Sequence, residues 1–339
     1  MFKIKEVVLD MEKDIQISFL QKHGLDYEID IEYAILVYDR HEVIATASIA
    51  QKVMKCFAVH SDYSGQNVTG LMFKHLTEYL ANKGITHYFV FTSPENEEIF
   101  KSFNMTRIVL TMNTVLLEGG DEITNVLMKL KKEYKVSDEK KSCVIINANP
   151  MTLGHLYLIE EAAKQSKELL IFVVSEDVSS FPFEARFKII KEATKHLSNV
   201  TVLPSLSYLV SRLSFPKYFL KEDVLIKEEQ TLIDVLIYKE YYTKIFNINK
   251  RFVGTEPLSP NTSKYNEVLK RYLGIKIEII ERKTHNEVPI SASFIRKLIK
   301  RNHIVKIKEF VPEATYNYLL SDDGQSTIEK IQKNKLGRH

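Results

Sequence analysis

The stretch CVIINANPMTLGHLYLIEEAAKQS, residues 143–166, decides how this chain reads. Its first six residues are a short apolar run, the pattern of a strand buried on both faces, and an amphipathic helical pattern follows at once. ELLIFVVS at 168–175 repeats the strand and ARFKIIKEATKHL at 185–197 the helix. A strand–helix–strand–helix series predicts a parallel, doubly wound sheet with right-handed crossovers. NVTVLP at 199–204, RFVGT at 251–255 and IKIEIIE at 275–281 supply further strands, and helices begin at Ser291 and Pro312.

Upstream, KKEYKVSDEKKS at 131–142 is a charged run without apolar periodicity, and it is the expected linker between two domains. The first, 1–130, reads as a mixed α+β domain: β-runs at 33–39, 42–50 and 53–59, a helix over VTGLMFKHLTEYLANKG ending at Gly84, then strands at 87–92 and within 107–118. Arg40 and His41 are the expected hairpin turn. The second domain spans 143–320, and the basic stretch 321–339 is expected to fray as a tail.

At 339 residues the chain is long enough for two domains, and 45% hydrophobic with only 11 Gly and 9 Pro it can bury real cores, which excludes disordered, collagenous and disulfide-scaffold classes. Cys56 and Cys143 are the only cysteines, each in an apolar run, so a reducing compartment is expected. The first residues carry acids where a signal peptide needs an apolar core, and no run of about 18 apolar residues occurs; the expected location is the cytoplasm, without membrane insertion. Residues 1–140 hold 16 Lys+Arg against 21 Asp+Glu, and the remainder 31 against 23. The basic second half suits an anionic ligand but lacks the concentrated runs of a nucleic-acid binder, so no nucleic acid is expected.

Ligands of open α/β sheets sit at the carboxyl ends of the strands, which places the turn Asn147–His155 where a site belongs. Thr152 offers a hydroxyl, Gly154 permits close backbone approach, and His155 stands near a helix N-terminus that favours phosphate. The same residues also suit plain helix capping. Far along the chain, Pro289-Ile290-Ser291-Ala292-Ser293-Phe294-Ile295-Arg296 follows the last strand and puts two hydroxyls and a guanidinium at another helix start, as a triphosphate requires.

With both turns present in this order, about 135 residues apart, the sequence resembles the nucleotidyltransferase superfamily, whose signature is a [HT]xGH turn and a later ISxSxxR-like turn. VSEDVSSFPFEARFKII, SRLSFPKYFLKED and RFVGTEPLSPNTSKYN further resemble blocks of the citrate lyase ligase family. That resemblance implies ATP as substrate, magnesium carried on it, acetate, and as partner the acyl carrier subunit of citrate lyase with its CoA-like prosthetic group. It implies catalytic roles for His155, Thr152 and Arg296. For ATP it implies contacts from Asn149, Gly154, Ser291, Ser293, Arg186, Lys221, Gly254 and Glu256, with Arg212 and Lys217 as further basic candidates.

FAVHSDYSGQNVTGLMFKHL at 57–76 resembles the strand, pyrophosphate turn and helix of GNAT acetyltransferases, although the turn is degenerate: Ser64, Asn67 and Thr69 stand at the patterned places and Gly65 is added. The later SPENEEIFKSFNM resembles the final GNAT motif, with Asn104 where Gly is usual. Val59, Gly65, Gly70 and Asn96 are thereby implied to bind the prosthetic arm. Gly65 and Gly70 have phosphate-loop spacing, but Leu71 and Met72 follow where Lys and Ser/Thr are needed. The scattered His show no metal-ligand spacing. Two other functions fit the same residues: an adenylyltransferase of cofactor biosynthesis, of the pantetheine-phosphate or nicotinate-nucleotide type, and a non-enzymatic acyl-CoA or nucleotide sensor.

Overall fold

The computed structural model describes residues 2–175, 179–209, 218–220, 223–255, 268–281, 284–285 and 288–333. The chain divides into two compact units, one of Met1–Val126 with Ser214–Ile233, the other of Leu127–Leu213 with Asp234–His339.

The first unit carries a seven-stranded sheet of β1 (Lys3–Glu6), β2 (Tyr33–Asp39), β3 (Glu42–Ala50), β4 (Val53–Val59), β5 (Tyr88–Thr92), β6 (Thr106–Leu110) and β7 (Val115–Gly119). Their order is β1-β2-β3-β4-β5-β7-β6, antiparallel except where β5 lies parallel to β4. The β2–β3 hairpin turns at the expected place, Arg40 taking the positive φ of 53° that a two-residue turn requires. Val68, Met72, Leu76 and Leu80, one helical turn apart, bury one stripe of the helix Val68–Asn82 in the core with Ile35, Val37, Ala47 and Val90. Each such side chain contributes about 1.5–3 kcal/mol of burial free energy.

What positions the unit's cavity is the meeting of β4 and β5. Only Val53↔Phe89 and Met54↔Val90 pair; beyond them the strands part. The cause lies in β4, where Thr46 faces Ala58 but Ser48 faces Lys55, leaving one extra residue on β4, and Cys56 adopts a φ of 57°. Such a bulge bends the strand away from its neighbour.

In the second unit β8 (Lys141–Ile146), β9 (Leu169–Val173), β10 (Val200–Pro204), β11 (Ile248–Gly254) and β12 (Lys276–Ile280) form a five-stranded sheet in the order β10-β9-β8-β11-β12. Every pair is parallel, as the strand–helix alternation predicts. Ile146 aligns with Val173 and Val173 with Pro204, so the carboxyl ends share one edge. The chain winds outward from β8 one way and from β11 the other, and that reversal opens a crevice beside Ile146 and Gly254.

The charged run 131–142 is fastened along this unit. Asn247 Nδ2 donates to the Asp138 carbonyl at 2.6 Å, Ser137 Oγ donates to the Glu168 carboxylate at 2.9 Å, and the ammonium of buried Lys141 donates to the Ser137 carbonyl at 2.7 Å. The tail expected to fray from Ser321 is instead helical over Asp322–Lys333 and buries Thr327, Ile328 and Ile331. Those positions lie three and four apart, enough for a packed stripe once Ser321 Oγ accepts the Gly324 N–H at 3.2 Å.

Candidate functional site

The first turn of the helix Leu153–Lys164 is set by Thr152, whose hydroxyl accepts the His155 N–H at 3.4 Å while His155 Nδ1 accepts the Thr152 N–H at 3.1 Å. This reciprocal cap decides the imidazole's chemistry. With Nδ1 occupied as an acceptor, the neutral ring carries its proton on Nε2, which makes that nitrogen a hydrogen-bond donor. Thr152 is itself fully buried, its hydroxyl held 3.0 Å from His155 Nδ1. The turn is tied to its surroundings by Leu153 N–H to the Phe310 carbonyl at 2.9 Å and by Thr315 Oγ1 to the Met151 carbonyl at 3.0 Å.

The two distant turns meet. The Arg296 guanidinium donates to the Asn149 carbonyl across 147 positions of sequence. Gly154 lies against Ile290 so closely that a Cβ there would stand 3.2 Å from the Ile290 carbonyl oxygen. Ser291 Oγ caps the helix Ala292–Lys300 by accepting the Phe294 N–H at 3.2 Å and lies 3.1 Å from Ser293 Oγ. Two helix N-termini, each equivalent to roughly half a positive charge, therefore converge with one arginine. Burial lowers the Arg296 pKa from the usual arginine value, and none of the ion pairs among the described residues engages it. A desolvated cation of this kind favours an anionic ligand.

Asn149 is buried, and its side-chain oxygen accepts the Phe181 N–H at 3.0 Å. Arg186 is fully buried and donates to the carbonyls of Phe181 at 3.0 Å, Asn147 at 3.1 Å and Val174 at 2.7 Å, and to Asn147 Oδ1 at 2.9 Å. It braces the loops after β8 and β9. Gly254 ends β11 at the same edge, with a Leu158 methyl 3.9 Å from where its Cβ would be. Lys221, Glu256, Arg212 and Lys217 lie outside the described residues.

In the first unit Val59, Gly65, Gly70 and Asn96 line a single cavity of about 540 Å³, opened where β4 and β5 part. Phe57, Thr92, Ser93, Phe100 and Phe103 complete much of its wall. Gly65 holds a φ of 77°, a conformation that side chains resist. The helix Val68–Asn82 starts at the cavity with no side-chain cap on its first N–H groups, because its N-cap Asn67 is left-handed. Asn96 Nδ2 donates to Thr92 Oγ1 at 3.2 Å and Ser93 Oγ at 3.0 Å, fixing the end of β5. A larger groove in the second unit, near Phe187 and Tyr318, contains none of the residues singled out by sequence.

Sequence reasoning missed the aromatic pair Tyr218 and Phe219, which also line the first unit's cavity. FPKYFLKED offers a family block and its lysines to a sequence reading; the signal for the rings is their adjacency in a segment otherwise rich in charge. Asn147 was missed as well, because a residue that anchors a buried arginine has no spacing signature.

The model of the citrate lyase ligase C-terminal domain matches residues 141–319. The chain is 35% identical over 313 residues to the citrate (pro-3S)-lyase ligase of Klebsiella pneumoniae, covering 89% of this chain and 91% of that protein. To the corresponding ligase of Escherichia coli K12 it is 32% identical over 330 residues, with 95% and 92% covered. A shorter likeness, 46% over 59 residues, joins 17% of the chain to 36% of the phosphopantetheine adenylyltransferase of Streptococcus gordonii. Among solved structures, a GNAT-family acetyltransferase of Staphylococcus aureus covers 35% of this chain and 99% of that one, at 13% identity and a TM-score of 0.31. With a domain model matching more than half its length and relatives aligned over nine-tenths of it, the chain belongs to the citrate lyase ligase family.

Proposed function

We propose that the protein uses ATP to activate acetate and transfers the acetyl group to the thiol of the prosthetic arm on the acyl carrier subunit of citrate lyase, releasing AMP and pyrophosphate. In the first half-reaction an acetate oxygen attacks the α-phosphorus, the bond to the β-phosphate oxygen breaks, and acetyl-AMP and pyrophosphate form. In the second the arm's thiolate attacks the acetyl carbonyl, AMP leaves, and the thiol proton passes to solvent or buffer.

The observation that carries this reading is the meeting of the Thr152–His155 turn with the Ser291–Arg296 turn through the Arg296–Asn149 bond. Catalysis is then positioning plus charge stabilisation. His155 donates from Nε2 to an α-phosphate oxygen, where charge builds as the acetate oxygen arrives. Thr152 holds the imidazole in that tautomer. Ser291, Ser293 and Arg296 hold the β- and γ-phosphates and steady the departing pyrophosphate. Asn149 and Arg186 keep the turns in register, and Gly254 keeps the β11 end of the crevice open. Magnesium supplies charge neutralisation as MgATP, held by phosphate oxygens and water. The cavity of the first unit receives the arm: Gly65, Gly70 and the uncapped N–H groups of the Val68–Asn82 helix suit its phosphates, while Val59 and Asn96 line the path of its chain.

A second reading, transfer of AMP to a phosphate-bearing acceptor, is supported by the short likeness to phosphopantetheine adenylyltransferase. AMP stably attached to a small product would favour it. Incubating the protein with ATP, magnesium, acetate and deacetylated citrate lyase should yield AMP and recovered lyase activity in step. His155→Ala should keep the fold and lose most turnover; unaltered turnover would remove His155 from the site.

A further inference from the structure

Tyr218 and Phe219 lie between β10 and β11 in sequence, yet their stretch packs into the first unit. Tyr218 is 5% exposed. Its hydroxyl donates to the Phe91 carbonyl at 2.7 Å, and its side chain packs in one buried cluster with Cys56. Phe91 is the first β5 residue, and Cys56 the second β4 residue, beyond the last ladder pair Met54↔Val90. The hydroxyl therefore stands in the fork where the two strands part.

The ring is held there firmly. The Asp26 N–H donates to the Tyr218 carbonyl at 2.9 Å, and the side chain belongs to a buried cluster with Phe19, Leu20, Cys56 and Ala58. Phe219 meets it edge-on at 5.0 Å between ring centroids. Both rings face the cavity also lined by Phe57, Val59 and Thr92. Outward from the fork, parted strand edges offer backbone groups with which an extended amide chain can pair, as an added strand would. At the fork itself, the Tyr218 hydroxyl takes that place.

We propose that Tyr218 is the stop at the inner end of this cavity, a positioning residue that fixes how far a thiol-ended, pantetheine-like arm can enter. The inference rests on the reading above that the cavity receives the arm. An arm carrying the two carbons of an acetyl group beyond its sulfur ends with them against the Tyr218 and Phe219 rings, so the thiol and S-ethyl arms should bind alike. An arm with more carbons than that beyond sulfur collides with a ring that the Phe91 and Asp26 bonds keep from moving.

The test measures binding of phosphopantetheine and of its S-ethyl and S-butyl thioethers to the full-length protein by calorimetry. The unaltered protein should bind the thiol and reject the S-butyl arm about tenfold or more, the effect of overfilling a packed site. Tyr218→Phe keeps the ring and should keep that ratio. Tyr218→Ala should bring the S-butyl and thiol arms within about threefold of each other, the change of one ratio that a purely structural loss cannot produce. Should the alanine variant fail to fold, Tyr218→Leu tests the same shortening. Equal weakening of every arm, or an unchanged length preference in the shortened variants, would overturn the stop while leaving the arm reading intact. No arm binding to the unaltered protein would overturn both.

Discussion

At the edge of the five-stranded sheet, a ligand would meet backbone turns, two helix N-termini and one guanidinium; in the cavity of the seven-stranded sheet it would meet aromatic walls and the edges of parted strands. The first arrangement needs particular residue types at fixed spacings, because only glycine lets Gly154 approach Ile290 and only a short polar side chain caps a helix. The second needs only bulk and shape, which many sequences supply. The difference teaches that a site built from turns is written in motifs, whereas a cavity is written in topology: here, one bulge at Cys56 and a parallel pair that stops after two residues.

Substitutions that act on one region and spare the other would sharpen this contrast. The largest effect is expected for Arg296→Ala, which should lower the rate of ATP turnover by about 10²–10³-fold, the usual cost of losing one preorganised donor to developing charge. Arg296→Lys should recover only part of it, since an ammonium lacks the planar fork. Steady-state AMP release measures both. Next, Val59→Trp should fill the cavity and slow acetylation of the lyase by about 10²-fold. The same variant should leave acetate-dependent exchange of pyrophosphate into ATP as it was; loss of both activities together would erase the proposed division between the two regions.

The second unit's sheet was legible because buried parallel strands appear as continuous apolar runs: CVIINA and ELLIFVVS became β8 and β9. The two turns Asn147–His155 and Pro289–Arg296 were legible as motifs, but their contact through Arg296 was not, since nothing in 147 positions of spacing reveals a shared edge. In the first unit the strands β2 to β7 and the helix Val68–Asn82 followed from periodicity, whereas β1, four residues paired only with β2, did not. The assignment of 214–233 to that unit did not, because the pairing of Glu229 with Asn113 at 2.9 Å and of Tyr218 with Phe91 depends on tertiary folding alone. The Asp322–Lys333 helix was missed because its stripe is short and the surface it covers exists only once the helices Glu313–Leu320 and Ala292–Lys300 have packed together.

A subtler break is Gly154→Ala. Its Cβ at 3.2 Å from the Ile290 carbonyl should push the turns apart by a few tenths of an ångström and raise KM for ATP by about tenfold, with the melting temperature little changed. The smallest effect concerns stability of the first unit. Glu12 accepts the Leu9 N–H, pairs with Lys5 and accepts the Val8 N–H, and together these hold its pKa down to about 2. A depressed carboxylate pKa adds stability above its unfolded value near 4.5, and that contribution is lost as pH falls toward 2. Glu12→Gln should therefore melt slightly lower than the unaltered protein at pH 7, and the gap between the two should close between pH 4.5 and 2.

If the two turns joined by Arg296 form one acetate-activating site, radiolabelled pyrophosphate should exchange into ATP with no citrate lyase present. That exchange should require acetate and disappear in both His155→Ala and Arg296→Ala; exchange indifferent to acetate, or undiminished in either folded variant, would refute a shared site.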